Sequence, residues 1–250
     1  MSKFAFTRAV SDDTALVGEE EFRHQAVVLR RRAGDSINLI DGEGNRYRGI
    51  IKKLDKSAKI MQVKIVERES WPRPPAFELL VALPRHRKLD DIIEKAVELG
   101  VSRITPLLSE RTVVRLEKGS KAAARQRHWE KVAISACKQS GNPFLPRIGV
   151  PQELAEALEP PEEMEKERCD KIVLHPPDSE NDDPRLYAVP LEPGFSTRLA
   201  CGPEGGFSDK EIELFRQQGW QPAGLGKRIL RLETAVVVGV AHIQTRKQAL

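Results

Sequence analysis

The segment Trp71-Pro72-Arg73-Pro74-Pro75 limits this chain more than any other. Three prolines in four positions can continue neither a helix nor a strand ladder, because each lacks the backbone donor and has a fixed φ. The chain therefore divides there, into residues 1–72 and 73–250, and the hydrophobic period changes across the break. Before it, residues 26–29, 36–40, 46–54 and 58–66 alternate as short strands, with Gly34 and Asp41-Gly42-Glu43-Gly44 as turns. So few strands protect their edges most simply by closing into a small β-barrel. After it, residues 77–83 form an apolar run, Leu89, Ile92, Ile93, Ala96 and Val97 make a helical stripe, and residues 101–108 are apolar again. Gly100 stands where a helix C-terminal cap belongs. Two buried strands bracketing a helix predict a parallel sheet with helices on its faces, so the second domain is α/β.

Of the 250 residues 40% are hydrophobic and 31% charged, which excludes disorder and fibrous repeats. The longest apolar stretch, residues 235–241, falls far short of the roughly 18 residues a membrane span needs. The first ten residues lack an export-signal layout, so a cytoplasmic location is expected. Cys137, Cys169 and Cys201 are too far apart for metal pairs and odd in number, which predicts reduced, buried thiols. Neither they nor the five scattered histidines have metal-ligand spacing, and no metal is expected.

The net charge of +4 is spread unevenly. Residues 73–150 carry 15 basic against 8 acidic side chains, while residues 151–200 carry 5 against 13. A predicted helix over 120–140 turns Trp129, Val132, Ala133, Ala136 and Cys137 inward and leaves Arg125, Arg127, Lys131 and Lys138 off that stripe. Together with Arg30, Arg31 and Arg32 in the barrel, Lys138 and this basic face fit a polyanion binder; solvated helix faces give similar tallies.

Two loops can carry chemistry. Gly202-Pro203-Glu204-Gly205-Gly206-Phe207-Ser208 follows a strand and precedes a helix, with Ser208 and Glu211 spaced as a capping box. Its three glycines in five positions permit positive φ and let a ligand approach the amides. It matches neither GxGxxG nor a P-loop, so neither a dinucleotide fold nor an NTPase is supported, and a purely structural turn is the alternative. About 20 residues later, Leu225-Gly226-Lys227-Arg228-Ile229-Leu230-Arg231-Leu232-Glu233-Thr234 leads into a nearly all-apolar helix over 235–243, predicted to be buried. Arg231 and Glu233 at its mouth are either a structural ion pair or functional groups.

Together these loops resemble the C-terminal signature of the SPOUT superfamily of S-adenosylmethionine-dependent RNA methyltransferases, and more closely its RsmE family, which methylates N3 of a uridine in 16S ribosomal RNA. Also similar to that family are Glu94-Lys95-Ala96-Val97-Glu98-Leu99-Gly100-Val101, Ser109-Glu110-Arg111, Gln139-Ser140-Gly141 and residues 172–175. The N-terminal domain, with His24, Arg30, Gly34-Asp35 and Asp41-Gly42, resembles the family's PUA-like RNA-binding domain. The resemblance implies a PUA-like barrel followed by a trefoil-knotted α/β domain. It implies S-adenosylmethionine held by Leu174, His175, Pro176, Gly202, Pro203, Glu204, Gly205, Gly206, Leu225, Gly226, Ile229, Leu230 and Arg231. Arg231 is then the catalytic candidate for stabilising the base anion, with Glu204 or Glu233 taking the proton, and Arg30, Arg31, Arg32 and Lys138 contact RNA. The implied partners are 16S ribosomal RNA of the small subunit and a second copy of the chain, packed through residues 235–243, with neither DNA nor membrane. The alternatives are an RNA-binding assembly factor with a vestigial pocket, which the intact glycines disfavour, and a tRNA ribose methyltransferase of the same superfamily.

Overall fold

The computed structural model describes residues 3–84, 88–112, 120–165, 168–175 and 185–247, in two compact units. One comprises residues 1–73 with 133–145, the other 74–132 with 146–250.

The first unit is a six-stranded sheet. Its strands are β1 (Ala5–Phe6), β2 (Ala9–Ser11), β3 (Thr14–Val17), β4 (Ser36–Ile40), β5 (Asn45–Asp55) and β6 (Ile60–Ser70), in the order β1-β4-β5-β6-β3-β2. The two edge strands, β1 and β2, are consecutive in the chain and separated only by Thr7 and Arg8, so the two ends of the sheet are joined there, with Thr7 donating from N to Ile40 O and from Oγ1 to Leu16 O. Alternate residues Ile37 and Leu39, Tyr47 and Ile51, and Met61, Val63 and Ile65 fill the interior. The β4–β5 turn is built by Asp41, whose Oδ1 accepts from the amides of Glu43 at 2.8 Å and Asn45 at 3.1 Å. Gly42 and Gly44 there take φ of +83° and +103°.

One expected strand is helical. Residues 26–29 belong to a helical segment that starts as α1 (Glu19–Phe22) and widens into a π-helical turn over Arg23–Val28. Glu19, Glu20 and Glu21 favour a helix start through the macrodipole. Phe22 and Gln25 face inward, while Val27 and Val28 are about two-thirds exposed at 64% and 63%. The β-branched pair that suggested a strand lies on the solvent side of a helix.

The second unit contains β7 (Phe77–Ala82), α2 (Lys88–Glu98), β8 (Arg103–Leu108), α3 (Ser120–Ser140), β9 (Arg147–Ile148), β10 (Gln152–Glu153), α4 (Leu154–Leu158), β11 (Cys169–Leu174), β12 (Ser196–Cys201), α5 (Asp209–Gln217), β13 (Gln221–Ala223) and α6 (Leu232–Arg246); the end of α3 counts with the barrel. The sheet runs β10-β8-β7-β12-β11-β13 with every pair parallel. Every residue of β7 and β12 is buried, as a parallel sheet covered on both faces requires. The predicted stripe of α2 is buried in full, and Gly100 at φ +80° closes the helix, with Val101 N donating to Ala96 O at 2.9 Å. Across the sheet centre Arg198 donates from Nε to Glu78 Oε2 at 2.7 Å and caps the carbonyls of Ala157 and Leu158 at 2.6 and 2.7 Å. Thr105 adds a bond to Glu78 Oε1 at 2.6 Å, so this buried charge is fully partnered.

Candidate active site

Three strands of the parallel sheet end side by side. Leu174 of β11 is in register with Cys201 of β12 and with Ala223 of β13, so the loops starting at His175, Gly202 and Gly224 leave the same carboxyl edge together. Ligands in open α/β sheets bind at this edge. His175 N donates to Ala223 O at 3.1 Å, which ties the first loop to the third. Pro176 lies outside the described residues.

The second loop turns sharply. Gly206 N donates to Pro203 O at 2.8 Å, and Gly206 takes φ +70° with open space where a Cβ would stand. Gly202 differs in kind: a Cβ there would come within 3.0 Å of the Phe207 ring, so packing alone requires this glycine. Glu204 and Gly205 are exposed. Arg111 Nη1 donates to Gly205 O at 2.6 Å and reaches Phe207 O at 3.5 Å, fastening the loop from the end of β8. The loop then enters α5 through a complete capping box. Ser208 accepts from Glu211 N, and Glu211 Oε2 accepts from Ser208 N at 2.8 Å while its Oε1 takes Glu110 N at 2.8 Å.

The third loop is held from the other side. Leu186 N donates to Gly224 O at 2.9 Å, and Arg185 forms a parallel bridge with Gly224. Gly226 takes φ +138°, and a Cβ there would first meet Arg185 Nη1, at 3.7 Å. Leu225, Gly226 and Leu230 are half-buried and Ile229 is 87% exposed. Arg231 is the exposed N-cap residue of α6, with its carbonyl bonded to Ala235 N at 2.9 Å and no side-chain cap. Glu233, in the first turn, lies 3.7 Å from the Lys88 ammonium, a partner from α2.

The predicted cofactor residues that are described therefore converge on one rim. Arg111 and Arg185 join it from loops to which the sequence assigned no chemistry. Only the Ser109-Glu110-Arg111 segment carried a signal, through its resemblance.

Residues 72–244 match the RNA methyltransferase domain family and residues 17–63 the RNA methyltransferase PUA domain family. The chain is 30% identical over 229 residues to ribosomal RNA small subunit methyltransferase E of Buchnera aphidicola subsp. Acyrthosiphon pisum, covering 90% of this chain and 86% of that protein. The chain belongs to the ribosomal RNA small subunit methyltransferase E family. Its Bacillus subtilis relative is 28% identical, with 92% and 90% covered. The methyltransferase E of Neisseria gonorrhoeae, crystallised bound to S-adenosyl methionine, superposes with a TM-score of 0.83 at 29% identity over 98% of each chain.

Burial pushes Cys137 up to about 12 and Cys169 up to about 11, and it also raises Cys201, which directly precedes the Gly202 loop. Protonated thiols cannot act as covalent nucleophiles, so the rim supplies carboxylates, guanidinium groups and amides.

The predicted RNA-contacting residues lie in the barrel unit. Arg30 is exposed at φ +55°, half-buried Arg31 donates to Ser36 O, and Arg32 N bonds to Asp35 Oδ2 at 2.8 Å. Lys138 pairs with Glu21, and their side chains are only 15% and 10% exposed. That ammonium holds the end of α3 against α1 and has little surface to offer a polyanion. Helix α6 also departs from expectation. It buries Val236, Gly239, Val240 and Ile243 on one side, but Val238 on the other is 41% exposed.

Proposed function

We propose that this chain transfers a methyl group from S-adenosylmethionine to N3 of a uridine in 16S ribosomal RNA of the small subunit, acting in the cytoplasm as a homodimer. The observation that carries this reading is the convergence of the His175, Gly202 and Gly224 loops on one carboxyl edge, in a chain whose family is named for that RNA. Open space beside Gly206 and at least 3.4 Å of clearance at Gly205 and Gly226 fit a ligand lying against the backbone. Leu174, His175, Pro176, Gly202 to Gly206, and Leu225 to Arg231 would hold the cofactor there, mainly through amides and carbonyls. When bound, it supplies an electrophilic methyl group on a sulfonium.

Uracil N3 carries a proton at neutral pH, so a base must remove it before attack. Glu204, exposed on the second loop, and Glu233, beside Lys88, are the carboxylates of the rim that can take it. The anion left on the ring spreads over two carbonyl oxygens. Arg231 faces that charge with a permanent cation, and the unsealed amino end of α6 adds its dipole in the same direction.

The half-exposed apolar side of α6, with Val237, Val238, Ala241 and His242, supports the second copy. Burial, then the Arg246 charge, hold His242 below the usual imidazole range, so it is neutral at pH 7 and suited to a dry contact. Sedimentation should show a dimer that Val238→Asp dissociates; a fully active parental monomer refutes this part.

The activity is tested by mass spectrometry of ribosomal RNA nucleosides from a deletion strain. 3-Methyluridine should disappear from the small-subunit RNA and return on complementation. An unchanged nucleoside profile, or a loss of ribose methylation from tRNA instead, overturns the assignment.

A further inference from the structure

The barrel carries a second cleft, of about 390 Å³, lined by Arg8, Val10, Asp41, Glu43, Tyr47 and Arg68. Its volume falls within the range of about 300–1,000 Å³ typical of small-ligand sites. The strand register builds it: Tyr47 on β5 is paired directly with Arg68 on β6, and Arg8 comes from the link between β1 and β2. Both guanidinium groups rest on aromatic rings, Arg8 5.7 Å from the centroid of Phe6 and Arg68 5.2 Å from that of Tyr47.

The anionic groups of the cleft are already engaged. Asp41 takes the amides of Glu43 and Asn45 on Oδ1, and Asn45 Nδ2 at 2.6 Å and Tyr47 OH at 2.9 Å on Oδ2. Glu43 pairs with Arg73 at 3.2 Å. Burial, then the bond to Asp41, push the Tyr47 phenol up to about 12, so it stays a donor. Among the described residues neither Arg8 nor Arg68 is in an ion pair; Arg68 only reaches Asp12 O at 3.4 Å. The cleft thus presents two flat cations on rigid aromatic supports, with its carboxylates spent on its own scaffold.

We propose that this cleft binds one unpaired nucleotide of the RNA substrate, with its phosphate between Arg8 and Arg68 and its base stacked on a guanidinium plane. Flat cations over aromatic rings suit a base face, and forked donors suit a phosphate, whereas a peptide carboxylate uses only the second property. A cleft of this size admits a single extruded or single-stranded unit. The site is separate from Arg30, Arg31 and Arg32 in sequence and would set the register of the RNA rather than the chemistry. The proposal rests on the reading that this chain acts on RNA.

The test measures binding of a single-stranded fragment of 16S RNA, and of S-adenosylmethionine, to the full-length protein. Arg8→Ala and Arg68→Ala should each weaken RNA five- to tenfold and flatten the log-log salt slope by about 0.7. The affinity for S-adenosylmethionine should not move. Arg68→Lys keeps the charge and loses the plane, so it should retain the parental salt slope while still losing affinity. Photo-crosslinking with 4-thiouridine RNA should mark peptides containing Arg8, Tyr47 or Arg68. If the parental protein binds RNA and all three folded variants bind it equally well, with no crosslinks at the cleft, the cleft is overturned and the RNA reading stands. If the parental protein binds no RNA, that reading falls and the cleft falls with it.

Discussion

The two glycine-bearing loops end in helices that treat their amino ends in opposite ways. At α5 the chain seals its own helix: Ser208 and Glu211 form a full capping box, and Glu211, 9% exposed, also takes the amide of Glu110. At α6 the N-cap is Arg231, which offers no side-chain acceptor, and the preceding loop passes through Gly226 at φ +138°. A sealed end has its donors satisfied and its dipole neutralised by a local carboxylate, so it anchors. The α6 end has no side-chain acceptor on its first amides, and its first-turn carboxylate, Glu233, lies 3.7 Å from the Lys88 ammonium, while Arg231 adds a cation. The first junction is scaffold for the loop before it; on the function proposed above, the second is where negative charge developing on the substrate would be met.

Substitutions at the two junctions should therefore separate function from stability. The largest effect is expected from Gly226→Val, which puts a branched side chain at a positive φ and on the open face. S-adenosylmethionine binding should become undetectable, a loss of about a thousandfold or about 4 kcal/mol, while circular dichroism stays parental. Calorimetric titration showing parental affinity would contradict the comparison. Arg231→Ala should slow methyl transfer about a hundredfold in single-turnover experiments with saturating RNA, leaving RNA affinity intact. A parental rate removes Arg231 from the chemistry. At the sealed junction the signature reverses. Glu211→Ala strips the bonds to Ser208 N and Glu110 N and should cost about 2 kcal/mol of stability in denaturant unfolding, with the transfer rate at saturating ligands little changed. Smallest is Arg111→Ala, which frees the Gly205 carbonyl and should weaken S-adenosylmethionine only a few-fold. A loss there as large as at Gly226 would mean that the two loops are not functionally distinct.

Periodicity captured the βαβ unit, the α2 stripe and the Ser208 capping box because each is written in residues close together in sequence. The helical turn at 23–28 escaped because Val27 and Val28 read as strand residues, and only the barrel interior decides which side chains turn inward. The Arg198–Glu78 bond joins residues 120 positions apart, and a pattern of apolar spacing counts both simply as interruptions. Strand β13 contains Pro222, which argues against a central strand but is tolerated at the sheet edge where it lies. In the candidate site the glycines and Arg231 were legible as motifs. Arg185 was not, since its place beside Gly226 depends on a bridge between distant loops.

The order of strands in the parallel sheet also sets a timetable. Strand β7 pairs on one side with β8, about 25 residues later, but on the other with β12, whose Thr197 meets Phe77 across 120 residues of chain. During synthesis the six positions of β7, all buried in the finished fold, must wait, half-paired, until that late strand emerges. Closing so long a loop is slow, and an unpaired buried-type strand invites association with other nascent chains. Chains halted just before residue 196 should therefore be captured by holdase chaperones, whereas chains extended past residue 223 should escape them.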